Sequence, residues 1–282
     1  VVAGVGADRT RGVTSAARLE PADDRTAAWR VAAISAGSLV AAYAFLVLTP
    51  AGQVFDADTL GEIRELGVRA DRVLNMVREL LLVGLIAYVA VLVVVALWQR
   101  RVRVAVTAVL MVVVTAALST AAKGLLPRPA YEVAGYPWNT FPSDHMAATV
   151  SLLVAANWLL PGSLPARART VSLAVTGLVS GWAQVATHAH RQSDVIGATL
   201  LAATVAAVAA ATTGRKVVGS RRTLTLAPWT ATVGLLVLLV WRTLGWPAGT
   251  WWAGIAGAEL LVLAPLLLAL GLRPGSRRPP RA

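Results

Sequence analysis

The chain has three histidines, and they fall in two short stretches: His145 in TFPSDHMAATV (140–150), His188 and His190 in HAHRQSD (188–194). Asp194 follows His190 by four residues. A carboxylate so placed accepts a hydrogen bond from one ring nitrogen, fixes the tautomer and leaves the other nitrogen as a nucleophile or base. KGLLPRP (123–129) adds Lys123 and Arg128 in a loop stiffened by Pro127 and Pro129. Cations of this kind clamp a phosphate, and an arginine does so through paired bonds. In FPSDH, Ser143 suits an N-cap and a hydroxyl donor, at a helix start whose free N–H groups favour an anion. With Asp144 and Arg191 beside them, these groups have the chemistry of an anion-handling site. Taken singly, each has a plainer reading as a helix cap, a headgroup anchor or a structural histidine. A zinc site from His145, His188 and His190 would need converging geometry and a second shell of partners. No metal and no cofactor is expected, and the absence of cysteine removes thiolate ligands and nucleophiles.

The elements that must position these groups are membrane helices. Hydrophobic residues make up 57% of the chain and charged residues 14%, against roughly 25% charged in soluble domains. Windows 31–49, 80–98 and 104–122 are uncharged and near the roughly 20 residues that span a hydrocarbon core. Further candidates lie near 145–160, 170–188, 194–213, 223–241 and 251–272, which makes eight. The fold class expected is all-α, a polytopic membrane helical bundle.

Basic residues cluster in alternate connections. With the amino terminus inside, 18 of the 26 fall on the cytoplasmic side, so both termini are expected there, in a plasma membrane. The net charge of +12 is thereby assigned to topology rather than to nucleic acid. Only two of the basic residues are lysine, a bias that points to a GC-rich bacterial genome. Residues 1–27 are polar and rich in Gly, Ala and Arg; they are expected to be a disordered cytoplasmic tail, and 273–282 a basic cytoplasmic tail. The 50–79 connection is expected outside. Its Leu60, Ile63, Leu66 and Val68 fit either an amphipathic helix on the membrane surface or a solvated loop helix.

Lys123 with Arg128-Pro129, then Pro142-Ser143-Asp144-His145, then His190 with Asp194, resemble the three motifs of the type 2 phosphatidic acid phosphatase family, membrane relatives of the vanadium haloperoxidases. Those motifs are Lys-x6-Arg-Pro, Pro-Ser-Gly-His and Ser-Arg-x5-His-x3-Asp. Their order and sidedness also fit. Residues 28–213 would form the six-helix phosphatase-like core, with 214–272 as two additional transmembrane helices. Three departures stand out: four residues separate Lys123 from Arg128, Asp144 replaces glycine, and Ala183-Gln184 replace Ser-Arg. The Pro-Ser-Asp-His variant resembles the undecaprenyl-diphosphate phosphatase branch.

The resemblance implies metal-independent dephosphorylation of a membrane lipid phosphate or diphosphate, a polyprenyl diphosphate being favoured, at the outer membrane face. His190 would attack phosphorus to give a phosphohistidine, Asp194 would hold its ring, and His145 would protonate the leaving oxygen. Lys123, Arg128, Ser143 and the groups at Asp144, Gln184 and Arg191 would surround the phosphate, with His188 auxiliary. The implied partners are the lipid substrate and the bilayer. Helices 7 and 8, with the small residues of AGIAGAE (253–259), offer a surface for a homo-oligomer or another partner. The competing expectations are a weak or inactive relative that binds phospholipid or scaffolds a partner, and a transporter, which would place polar groups nearer the bilayer midplane.

Overall fold

The computed structural model describes residues 24–63, 67–131, 138–160, 165–213, 217–219, 221–243 and 251–274. The first helix, α1 (Asp24–Ala42), runs through a π-helical turn (Tyr43–Val47) towards α2 (Pro50–Ile63). Then follow α3 (Gly67–Trp98), α4 (Val102–Leu125), α5 (Asp144–Leu159), α6 (Ala166–Ala186), α7 (Gln192–Thr212), α8 (Arg221–Thr243) and α9 (Trp251–Gly271). Two three-residue strands, β1 (Val217–Gly219) and β2 (Leu272–Pro274), pair antiparallel with Gly219 opposite Leu272. All eight expected spans are helices, and α2 is a ninth element inside the 50–79 connection. Most of the expected tail, residues 1–23, and residues 275–282 lie outside the described part.

Composition and burial make this a multi-pass membrane bundle. Among the described residues, four segments are long and apolar enough to cross a bilayer: Arg25–Val47, Arg72–Trp98, Val102–Leu125 and Gln192–Thr212. Val83, Val91 and Val94 of α3 and Leu110 and Val113 of α4 are exposed, as lipid-facing residues must be. At 32 residues, α3 is about 48 Å long, more than the roughly 30 Å hydrocarbon core needs. Counting roughly 20 residues back from Trp98 reaches Glu79, so the first turns of α3 stand beyond the apolar slab.

The centre of the bundle is α5. From Met146 to Leu159 all but Ala148 are buried, as expected of a helix apolar on every side. It packs among α3, α4, α6, α7 and α9. At the end away from the histidines, Asn157 Nδ2 donates to Leu270 O at 2.9 Å and Trp158 Nε1 to Leu272 O at 2.8 Å. Arg101 closes the same end by donating to the carbonyls of Leu159 and Trp158 at 2.8 and 3.0 Å. Gly257 serves packing within the chain: a Cβ there would lie 3.1 Å from Gly234 O, where α8 and α9 cross. Glu259 faces α6 near Gly181, and its buried Oε2 has no hydrogen-bond partner among the described residues.

The surface placement weighed for the 50–79 connection does not describe α2. Its buried face is Gln53, Asp56, Thr59 and Leu60. That stripe recurs at helical spacing but is mostly polar, so it is not seen when only apolar residues are counted. Of the apolar residues expected to face the membrane, Leu60 is buried in the bundle, Leu66 lies outside the described part, and nothing is described of the Ile63 and Val68 side chains.

Candidate active site

Three helix ends meet at one end of the bundle: the last turn of α4 with Lys123, the start of α5 with His145, and the start of α7 with Asp194. The strand-like stretch before α5 is held from several sides. Phe141 N donates to Asn139 Oδ1 at 3.0 Å, Asn139 Nδ2 to Leu126 O at 2.9 Å, and Ser143 N to Asp194 O at 3.0 Å. The Phe141 ring lies on Gly197 of α7, where a Cβ would be 2.2 Å from its edge. Its centroid is 5.5 Å from that of Tyr43, whose hydroxyl donates to Pro127 O at 2.6 Å. The packing of the π-helical turn and α7 around Phe141 thereby fixes the loops before and after residues 132–137.

His190 Nδ1 lies 3.6 Å from Asp194 Oδ2, an ion-pair distance longer than the hydrogen bond expected, and the nitrogen has no hydrogen-bond partner among the described residues. The same oxygen accepts from Thr140 Oγ1 at 2.5 Å and from Arg191 N at 2.9 Å. Asp194 is fully buried, so these donors hold the carboxylate in one orientation. Because Nδ1 faces Asp194, Nε2 is the ring nitrogen available for chemistry. His145 faces it across the cleft, ring centroid to ring centroid 6.4 Å at 51°.

Arg128 sits behind this pair. Its Nη2 reaches Asp56 Oδ2 at 3.1 Å and its Nη1 lies 3.8 Å from Asp194 Oδ1. The guanidinium side chain is only 4% exposed, so it supports Asp194 from within the protein. Asp56 comes from α2 and was not foreseen. Its carboxylate accepts from Ser193 N at 2.9 Å and Ser193 Oγ at 2.5 Å as well as from Arg128. Burial first, and then the negative charge of Asp194, push its carboxyl up to about 6 against the pull of Ser193 and Arg128.

Lys123 and Asp144 explain each other. Lys123 Nζ donates to Asp144 Oδ2 at 2.5 Å, and Ser119 Oγ to Oδ1 at 2.7 Å. The acid that replaces glycine therefore carries its own counter-ion. Ser143 is the N-cap of α5, accepting from Met146 N at 3.2 Å, and its hydroxyl donates to Gln184 Oε1 at 3.2 Å. Gln184 occupies the arginine position of the third motif; its Nε2 is buried without a hydrogen-bond partner among the described residues. Arg191 is the N-cap of α7, buried, with Nη1 3.5 Å from Trp138 O. His188 takes a left-handed backbone, φ 55°, in the turn leaving α6, and its Nε2 is buried without a hydrogen-bond partner among the described residues. Among the described residues no three His, Asp or Glu side chains form a metal-binding group.

Two further residues reach the site from α3. Glu79 Oε1 lies 3.6 Å from His145 Nε2. Arg78 donates to that same oxygen from Nη2 at 2.8 Å and Nε at 3.2 Å, and its Nη1 contacts Thr187 Oγ1 at 3.4 Å. The signal that could have found them is positional: two charges together at the threshold of an apolar span invite the same question as Asp144 and His145.

Residues 123–217 match the family model described as the PAP2 superfamily. That stretch carries all three motifs, from Lys123 to Asp194, and is of the type 2 phosphatidic acid phosphatase family. Comparison with the curated proteins and with the solved structures finds no match. Asp56, Arg78 and Glu79 lie outside the matched residues.

Proposed function

We propose that the protein removes a phosphate group from a membrane lipid phosphate or diphosphate, a polyprenyl diphosphate being favoured, through a phosphohistidine on His190. The family supports phosphatase activity on lipid phosphates. The observation that carries the finer reading is the pair of histidines: a ring held at Nδ1 by Asp194, with a second ring 6.4 Å away. His190 Nε2 attacks phosphorus while the bond to the leaving oxygen breaks and His145 gives that oxygen its proton. Water then attacks the phosphohistidine; His145, now neutral, takes the water proton, and phosphate leaves.

Stabilising charge on the phosphoryl oxygens is where such catalysts do most of their work. Lys123, the backbone N–H groups at the start of α5 and the free Nε2 of Gln184 are the donors suited to that task. Arg128, enclosed by Asp56 and Asp194, acts one step back by holding Asp194 in place beside His190. A site at the end of a membrane bundle lets the lipid tail stay among the helices while the phosphate meets polar groups. The distribution of basic residues supports an external site with both termini cytoplasmic.

A second reading has an observation of its own. Lys123, Arg128 and Arg78 each already pair with a carboxylate, and Gln184 replaces a cation. That arrangement suits a weak or inactive relative that binds phospholipid. Phosphate release by purified protein with EDTA present, from undecaprenyl diphosphate and phosphatidic acid separately, decides between them. Chelator-resistant release that disappears in His190→Ala is expected. Folded protein that releases no phosphate from either lipid would favour the binding role.

A further inference from the structure

We propose that Glu79 is the positioning residue of His145, anchored by Arg78, so that the site holds two facing relays of histidine, carboxylate and arginine. This rests on the phosphatase reading. One relay is His190–Asp194–Arg128, with contacts of 3.6 and 3.8 Å. The other is His145–Glu79–Arg78, with contacts of 3.6 and 2.8 Å.

A charge pair at adjacent positions on a helix is ordinarily of little consequence, since such residues do not face each other. Here both side chains turn to one point at the edge of His145. Arg78 spends two donors on Glu79 Oε1 and uses Nη1 to reach Thr187, three residues before His190. That tether links α3 to the C-cap of α6. The carboxylate is therefore held at the imidazole by an element that the three motifs do not include.

The two relays differ in exposure, and the difference suits their tasks. Asp194 and Arg128 are 0% and 4% exposed, a rigid setting for a nucleophile. His145 and Glu79 are 38% and 51% exposed, which suits a ring that gives up a proton in the first half-reaction and takes one from the entering water in the second. The charged and titratable groups facing His145 are Glu79 and Arg78 on α3, Lys123 on α4 and His190 ahead of α7; Asp144 adjoins it on its own helix. Asp144 is taken by Lys123, and among the described residues Glu79 alone pairs with the His145 ring. Burial first, and then the nearby cations, disfavour the imidazolium, and the Glu79 carboxylate works against them in favour of the form that donates.

The test is Glu79→Gln, which keeps the size and removes the charge at a half-exposed position. Carbon-13 labelled histidine gives three ring signals, which His188→Gln and His145→Gln assign. In Glu79→Gln the midpoint of the His145 ring signal is expected to fall by about half a pH unit, the size an exposed ion pair gives. The basic limb of the kcat profile moves by the same amount, so turnover at pH 8 drops about threefold, and Glu79→Asp recovers part of it. An unmoved ring midpoint overturns the proposal. So does a moved midpoint with an unmoved profile in an enzyme that His190→Ala still inactivates, and the phosphatase reading survives both results. Wild type without turnover overturns the phosphatase reading and with it the role of Glu79, leaving the ring titration as evidence of an ion pair alone.

Discussion

Gly197→Ala adds one carbon at the point where α7 meets the second motif. That carbon would lie 2.2 and 2.4 Å from Cε2 and Cζ of Phe141, against an ordinary contact of about 3.5 Å. The ring must retreat by more than 1 Å, by this difference, and it has little room. Phe141 is 1% exposed and backed by Tyr43, whose hydroxyl holds Pro127 O next to Arg128. The displacement therefore travels in two directions, along Pro142 and Ser143 to His145, and through Tyr43 to the first motif. Overpacking of this kind costs about 1–3 kcal/mol, and a misplacement of about 1 Å at reacting groups costs on the order of 10²-fold in rate. Thermal unfolding in detergent and phosphate release measure the two effects separately. Phe141→Leu placed in the Gly197→Ala background should return much of both losses, since the smaller side chain vacates the contested space. Wild-type turnover by Gly197→Ala, or simple additivity of the two substitutions, would show that the contact does not set the loop.

Asp194→Asn should lower kcat by about 10³ with the fold intact, because the amide can present a donor to His190 Nδ1 and favour the wrong tautomer; kinetics beside circular dichroism check it. Asp144→Asn releases Lys123, so KM for a phosphate dianion should fall, and a raised KM would mean that the lysine serves Asp144 alone. Asp56 gives a pH signature. Its folded carboxyl titrates near 6, above the ordinary 3.8, so between those values the folded state holds a proton that the unfolded chain has lost. Its contribution is therefore complete below about pH 4 and declines as pH rises towards 6, a slope that Asp56→Asn should lack in unfolding measured across that range.

Some of this architecture could be read from the residue order and some could not. Eight helices followed from apolar runs, and four of them are long and apolar enough to cross a bilayer among the described residues. The pairing of His190 with Asp194 followed from a separation of four, which a helical start brings to one side. Asp56 did not follow, because its partners Arg128 and Ser193 are 72 and 137 residues away and no local period announces them. Glu79 was hidden differently: next to Arg78 it passes for a self-contained surface pair, and only the approach of α5 gives it a histidine. The mutual neutralisation of Lys123 and Asp144 was equally out of reach, because two departures from the motif pattern compensate across 21 residues.

The clasp between α5 and the chain's last helix couples distant ends. α5 is 16 residues, about 24 Å, of nearly unbroken buried contact, carrying His145 at one tip and Asn157 and Trp158 at the other. Those two side chains hang on the carbonyls of Leu270 and Leu272. The helix thus behaves as a pushrod, with its working tip at the histidines and its seat in the C-terminal strand. Removing the chain beyond Gly271 would leave Trp158 with a buried donor unmet, a cost of about 1–3 kcal/mol, and would leave that end of the rod to Asn157 and Arg101. The depth at which His145 sits in the bundle is then set in part by residues about 125 positions further along the chain, at the opposite end of α5.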